Sequence, residues 1–356
     1  MKKFSFTSAC YPYLGSKAKQ ASSVGSYIKP NHKVLVSPFC GGASFELYAK
    51  HRLGMKTVTS DFSYISFVAQ KALLENNSVR ISQEDIVYLF APNKNSGYVR
   101  KNYSRFFSDF VLKFLDTATE NIRRLPESSK KYVLSHLLIY YIFHILPFGK
   151  LSCTHDTENI KKVGLAEALE EASNFSEART RKLLISCQHP LPVLKKLAKK
   201  INAGVTNNNQ QNLVYQEDVF NFLPKTKIFA DEAVLFADPP YLQSTSYSVY
   251  DDISQILLGR EIEKTNSVFN SKEVENWYDK FFQACEHLDL WLITMGAKVD
   301  NPDALHADKF LKMVQKHRPN AQLLKFENFS WAINTISGKK PHDCEEFLVI
   351  AKSDNQ

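Results

Sequence analysis

Asp238-Pro239-Pro240-Tyr241 is the most specific chemical signal in the chain. It follows Val234-Leu235-Phe236-Ala237, a continuous apolar run that reads as a buried strand. Open α/β sheets hold ligands beyond the carboxyl ends of their strands. Two successive prolines fix φ and remove two backbone donors, so the turn is stiff and its carbonyls can accept. A carboxylate beside such a carbonyl is a paired acceptor. That pair suits an exocyclic amine: both N–H bonds are held, and the nitrogen lone pair turns away from the ring. Tyr241 offers a flat face on which a base can stack. A plain strand-ending turn with a satisfied Asp is the competing reading of the same residues.

A second signal lies upstream. Lys33-Val34-Leu35-Val36 reads as a short strand, and Ser37-Pro38-Phe39-Cys40-Gly41-Gly42-Ala43-Ser44 follows it before a helix-like run. Strand, glycine turn and helix start make the first half of a nucleotide-type βαβ unit. Within it, Phe39-x-Gly41-x-Ala43 lets backbone approach a ligand closely. Asp61 lies 20 residues after Gly41 and ends a second strand, where it can accept from ribose hydroxyls. The third glycine of a dinucleotide fingerprint is missing, so NAD fits poorly. Strand–helix packing is the alternative.

The remaining pattern supplies the scaffold. Residues 62–206 are mostly helical, with Val193, Leu194, Leu197 and Ile201 on one face of a helix and Lys195, Lys196, Lys199 and Lys200 on the other. Leu137 to Phe148 reads as a buried helix, too short to span a bilayer. Residues 207–212 read as a polar linker. Strand patterns return at 212–215, 217–220, 234–237, 290–293 and 346–350, and 242–271 reads as a long loop. Strands alternating with helices predict a mostly parallel α/β sheet.

The 356 residues include 44% hydrophobic side chains, with 25 Phe and 16 Tyr, which excludes disorder for most of the chain. Cys10, Cys40, Cys153, Cys187, Cys285 and Cys344 form no C-x-x-C pair, and the ten His show no ligand spacing. We expect no metal site and no disulfide framework. Without an apolar leader in Met1 to Cys10, a reduced cytoplasmic protein is expected. The net charge of +8 is uneven: residues 1–200 carry +15 and 201–300 carry −8. A basic half suggests a polyanion partner. Asp231-Glu232 and Asp251-Asp252 suggest an acidic wall near Asp238, with the polyanion held on the basic side.

Taken in order, Tyr13-x-Gly15-x-Lys17, Pro38-Phe39-x-Gly41-x-Ala43, Asp61, Glu217-Asp218-Val219-Phe220 and Asp238-Pro239-Pro240-Tyr241 resemble the Dam-type adenine-N6 DNA methyltransferases. The resemblance implies a Rossmann-like class I methyltransferase sheet, mostly parallel with a C-terminal antiparallel strand. It implies a catalytic domain of 1–61 and 213–356, a helical target-recognition insertion of 62–206 and a linker of 207–212. Tyr13, Gly15 and Lys17 match an element enclosing S-adenosylmethionine. Pro38, Phe39, Gly41 and Ala43 match its methionine-side turn, and Asp61 matches its ribose ligand. Asp218, Val219 and Phe220 match the element beside its adenine. Asp238, Pro239, Pro240 and Tyr241 match the motif that holds the target amine, Asp238 also bordering the cofactor.

Tyr247 and Tyr250 are similar to an aromatic pair that follows this motif in the family. Ser37 stands where the family often has Asp, and Ala43 where it often has a third Gly. Phe148-Gly149-Lys150-Leu151, with Cys153 and His155 beyond it, departs from the family's recognition element and points away from its common target GATC.

The partners implied are double-stranded DNA and a cognate restriction endonuclease, with no membrane and a monomeric enzyme. Arg100, Lys101, Arg105, Arg179, Arg181 and Lys182 are candidate phosphate contacts. Three rivals stay open: transfer to cytosine N4, RNA adenine as substrate, and a catalytically silent DNA-binding subunit.

Overall fold

The computed structural model describes residues 11, 13, 15–146, 154–156, 159–161, 165–170, 183–240, 248–263, 267–271, 273–299, 301, 304–326, 330–331 and 342–353. The chain forms two compact units. One comprises Tyr13–Phe62, Asn208–Ser246 and Thr265–Gln356; the other comprises Met1–Pro12, Ser63–Asn207 and Tyr247–Lys264.

The first unit is built on a sheet. Its strands are β1 (Val34–Ser37), β2 (Lys56–Ser60), β3 (Leu213–Tyr215), β4 (Ala233–Ala237), β5 (Leu290–Lys298), β6 (Gln322–Phe326), β7 (Ser330–Trp331) and β8 (His342–Lys352). They lie in the order β3-β2-β1-β4-β5-β8-β6, with β7 paired to β8. The strands from β3 to β5 are parallel. β8 runs antiparallel between β5 and β6, pairing Val349 with Ile293 and Leu348 with Leu324. This is the mostly parallel sheet with antiparallel C-terminal strands that the resemblance implies.

The central strands β1 and β4 are buried at every position, without alternation, because both faces are covered. Val34, Val36, Leu235, Ala237, Trp291 and Ile293 enter one core with Phe281, Phe282 and Phe310. Leu35, Val234, Phe236, Leu290 and Leu292 enter the other, against Phe45. Successive residues of a strand thus feed opposite cores.

The second unit is helical. Ser129–Ile145 is buried nearly all round, which suits a helix with neighbours on every side. Tyr64–Gln70, Asp109–Arg124, Pro190–Gly204 and Ser248–Leu258 all pack against it. A short hairpin pairs Thr154–Asp156 with Asn159–Lys161.

Three sequence expectations change. Residues 242–271 contain the helix Ser248–Leu258, and it belongs to the helical unit. Ile253, Ile256 and Leu257 are buried at helical spacing, and Gly259 follows at φ +63°. The expected strand at 217–220 is a turn into a helix: Asp218 caps Val219–Phe222 by accepting from the Phe220 amide at 2.8 Å. The polar stretch 207–212 is anchored. Asn208 donates to the Met55 carbonyl at 2.7 Å, and Asn212 Oδ1 accepts from the Thr57 amide at 3.0 Å.

Candidate active site

Parallel strands β2 and β4 flank β1 on opposite sides, so the loops leaving β1 and β4 diverge. Such a switch point opens a crevice at the carboxyl ends of the two strands. Ser37 ends β1 and Ala237 ends β4. Tyr13, Gly15, Lys17, Phe39, Gly41 and Asp238 line one cavity there. The glycine turn and the Asp-Pro-Pro element, nearly 200 residues apart in sequence, thus meet in one place.

The turn is shaped by close approach. Gly41 has φ +49°. A side-chain carbon on Gly41 or Gly42 would lie 2.7 Å from the Tyr13 ring or its Cβ, inside contact distance. The Gly41 amide donates to Asp61 Oδ2 at 2.7 Å, tying the end of β2 to the turn. Ala43 adopts φ +58° as the cap of the helix Ser44–Tyr48, a conformation that costs an L-residue about 1 kcal/mol. Pro38 joins the strand to this turn. Phe39 packs edge-on to Phe269, 5.1 Å between centroids, and Phe269 in turn stacks with Phe220. Asp61, Asp218, Val219 and Phe220 stand outside the lining of the cavity.

Asp238 is fixed from two sides. Thr294 Oγ1 donates to its Oδ1 at 3.0 Å, and Lys17 Nζ donates to its Oδ2 at 2.8 Å. Lys17 is 3% exposed, also donates to the Gly15 carbonyl at 2.9 Å, and lies 3.9 Å from Glu346. Gln20 donates to the other Glu346 oxygen at 2.7 Å. A buried ammonium shared among carboxylates satisfies the requirement that buried charge be paired. Ionised carboxylate oxygens carry about four acceptor sites, so Asp238 retains capacity for a further N–H donor. Pro239 is buried beside it and Pro240 is partly covered.

Sequence reasoning missed Thr294, Glu346 and Glu46. Glu46 is buried, lines the cavity and accepts from Ser37 Oγ at 2.6 Å. Burial raises its pKa to about 7, with the Asp238 charge adding to the rise. The signal available was polarity in the wrong place: a carboxylate inside Phe45-Glu46-Leu47, and a Thr after the apolar run Leu290-Trp291-Leu292-Ile293.

Residues 13–294 match the D12 class N6 adenine-specific DNA methyltransferase family. The chain belongs to that family. The match runs from Tyr13, which covers the glycine turn, to Thr294, which holds Asp238. The chain is also similar to the type II methyltransferase M2.HphI of Haemophilus parahaemolyticus, at 23% identity over 286 residues, 79% of this chain and 81% of the relative. This protein is therefore an adenine-specific DNA methyltransferase with a restriction-modification relative.

The remaining expectations for the methyltransferase fall unevenly on the structure. Tyr241, Tyr247, Arg179, Arg181, Lys182, residues 148–151 and Cys153 lie outside the described residues, and His155 is described only as hairpin backbone. Tyr250 is 3% exposed and packs between Tyr11 and Phe143 in the helical unit. It is a core position, not an exposed one. Arg100, Lys101 and Arg105 are exposed. Buried Asp116 accepts from the Val99 amide at 2.7 Å and caps the helix that carries Arg100 and Lys101.

The two acidic stretches belong to different units. Asp251 and Asp252 belong to the helix Ser248–Leu258 of the other unit. Asp231 and Glu232 precede β4, whereas Asp238 follows it; a five-residue strand puts about 17 Å between its ends. Among the described residues there is no metal-ligating cluster and no helix long and apolar enough to cross a membrane.

Proposed function

We propose that this methyltransferase moves the methyl group of S-adenosylmethionine to N6 of an adenine flipped out of double-stranded DNA. The observation that carries the reading is Asp238: a carboxylate at a switch-point crevice, oriented by Thr294 and Lys17, beside a cavity floored by a glycine turn. The residues fit the donor. The glycine at Gly41 lets the Tyr13 ring close over the turn, within the cavity lining. In this reading Asp61 and Asp218, outside the cavity lining, accept from ribose and adenine, while Glu46 and Lys17 line the cavity itself.

When bound, S-adenosylmethionine supplies an electrophilic methyl on a sulfonium centre. The protein's task is to present the amine. Asp238 accepts one N–H and the Pro239 carbonyl the other, which turns the delocalised lone pair out of the base plane. Tyr241 stacks on the flipped base and offsets the few kcal/mol that flipping costs. The nitrogen would gain the methyl carbon as the sulfur–methyl bond of the donor breaks, leaving the thioether S-adenosylhomocysteine, and the amine would release one proton to water. Fixed acceptors supply the catalysis by positioning and electrostatics. Pro38, Phe39 and Ala43 shape the donor's methionine side, and Val219 and Phe220 border its adenine.

We assign DNA binding to the helical unit, whose 25 basic and 17 acidic side chains give it the whole +8 of the chain. Arg100, Lys101 and Arg105 are its described phosphate contacts in this reading. A cognate restriction endonuclease is the expected second partner, and the cytoplasm the expected site of action.

Incubation of duplex genomic DNA with enzyme and S-adenosylmethionine should yield N6-methyladenine at one short sequence, read by nucleoside mass spectrometry and mapping. N4-methylcytosine as the sole product would contradict the assignment of the target amine.

A further inference from the structure

Glu346 is not among the residues that line the cavity, yet it carries a buried carboxyl group beside one of them, Lys17. It lies beyond residues 13–294, the stretch that matches the family. Its place is in β8, where it pairs with Gly296 of β5 and Phe326 of β6. Alternation along the strand puts it on the face of Leu348 and Ile350, which enter the core around Phe45. Glu346 is 5% exposed. A carboxylate in that apolar row is costly unless an opposite charge meets it.

The charge that meets it is the Lys17 ammonium, which lies 2.8 Å from Asp238 Oδ2 and 3.9 Å from Glu346 Oε1. Gln20 donates to Glu346 Oε2 at 2.7 Å and so fixes the carboxyl group beside the ammonium. Lys17 thus stands between two carboxylates. Packing in line with Leu348 and Ile350 needs only an apolar residue. The contact with Gln20 needs only an acceptor, which Gln would also supply. What neither supplies is a second negative charge on the ammonium.

That second charge bears on Asp238. Methyl transfer carries positive charge from the sulfonium to the target nitrogen, so an acceptor at that nitrogen works through its own negative charge. An ammonium held by Asp238 alone would cancel most of that charge. Shared between two carboxylates, it leaves Asp238 the stronger acceptor.

We infer that Glu346 is a positioning residue for methyl transfer: it shares the Lys17 ammonium with Asp238 and so preserves the negative charge that receives the target amine. This inference rests on the Asp238 reading above.

Single-turnover methyl transfer is measured in the full chain with saturating S-adenosylmethionine and duplex genomic DNA, together with Kd for the DNA and for S-adenosylhomocysteine. Glu346→Gln, which keeps an acceptor for Gln20, should slow transfer about tenfold and leave both Kd values unchanged. Glu346→Asp, which keeps the charge farther from Lys17, should fall between wild type and Glu346→Gln. It gives the same comparison if Glu346→Gln fails to fold by circular dichroism. In a Lys17→Met background, Glu346→Gln should change the rate by no more than about twofold, because the residue acts through the ammonium. A wild-type rate in Glu346→Gln, a fall in either affinity that matches the fall in rate, or an equal loss in both backgrounds would overturn the role of Glu346 while leaving that of Asp238 intact. Transfer by Asp238→Ala at the wild-type rate would remove the Asp238 reading and this inference together.

Discussion

The sheet unit carries 20 basic and 20 acidic side chains, and the helical unit 25 and 17. The neutral unit nevertheless holds the buried charges of the site: Lys17, Glu46 and Glu346 are each at most 5% exposed. In the charged unit, Arg100, Lys101 and Arg105 are exposed, and several pairs such as Lys113 with Asp109 lie on the surface. Buried charge is strong, short-ranged and tied to one geometry, which is what holding an amine requires. Surface charge is screened within about 8–10 Å and tolerant of position, which is what tracking a phosphate backbone requires. Net charge thus marks the unit to which we assign DNA binding and says little about the unit that holds the candidate site.

That contrast can be broken at four points. The largest effect is expected at Glu46. Its folded pKa of about 7 lies above the unfolded value of 4.5, so the native state binds more protons between those values. Stability should therefore fall as pH rises from about 4.5 to about 7, by about 3 kcal/mol in total from this group. The groups facing it are Ser37, Cys40 and Asp238, with Lys17 and Glu346 behind Asp238. Urea unfolding at several pH values should show this slope in wild type and its loss in Glu46→Gln. Parallel slopes would mean that Glu46 is not held protonated.

Next comes Gly41→Ala. Its methyl would meet the Tyr13 ring at 2.7 Å, and donor affinity should drop at least tenfold, about 1.4 kcal/mol. Gly54 has φ +66° and open space around it. Gly54→Ala should lower stability by about 1 kcal/mol and leave donor binding alone. If both variants bind equally well, the close approach at Gly41 has no role in the site.

For the helical unit the readout is salt. Lys101→Ala with Arg105→Ala should flatten log K against log salt by about 0.9 for each phosphate that the wild-type side chains neutralise. Lys312→Ala, an exposed position of the sheet unit, should leave that slope unchanged. An unchanged slope in the double variant would move the DNA-binding surface elsewhere. The smallest effect is Ala43→Gly, which relieves φ +58°. It should raise the urea midpoint by an amount equal to about 1 kcal/mol, with DNA affinity unaltered.

The catalytic motifs are legible in the sequence because each is local. A glycine turn needs particular backbone angles within a few residues, and Asp238-Pro239-Pro240 is a turn by composition. The apolar runs at 34–36 and 234–237 likewise announce strands covered on both faces. What sequence conceals is pairing at a distance. Thr294 meets Asp238 across 56 residues, Gln20 meets Glu346 across 326, and no short window contains either pair. The burial of Tyr250 is equally concealed, because its neighbours Tyr11 and Phe143 are more than 100 residues away in sequence. Charge runs along the sequence also conceal that residues 247–264 fold with the helical unit.

In the proposed reading, presentation of the amine depends most directly on Asp238. Single-turnover methyl transfer to duplex DNA, with saturating S-adenosylmethionine, should be reduced about 10³-fold in Asp238→Ala. Retained DNA affinity and an unchanged circular dichroism spectrum would show that the defect lies in presenting the amine. Transfer by Asp238→Ala at the wild-type rate would contradict the placement of the target amine at the end of β4.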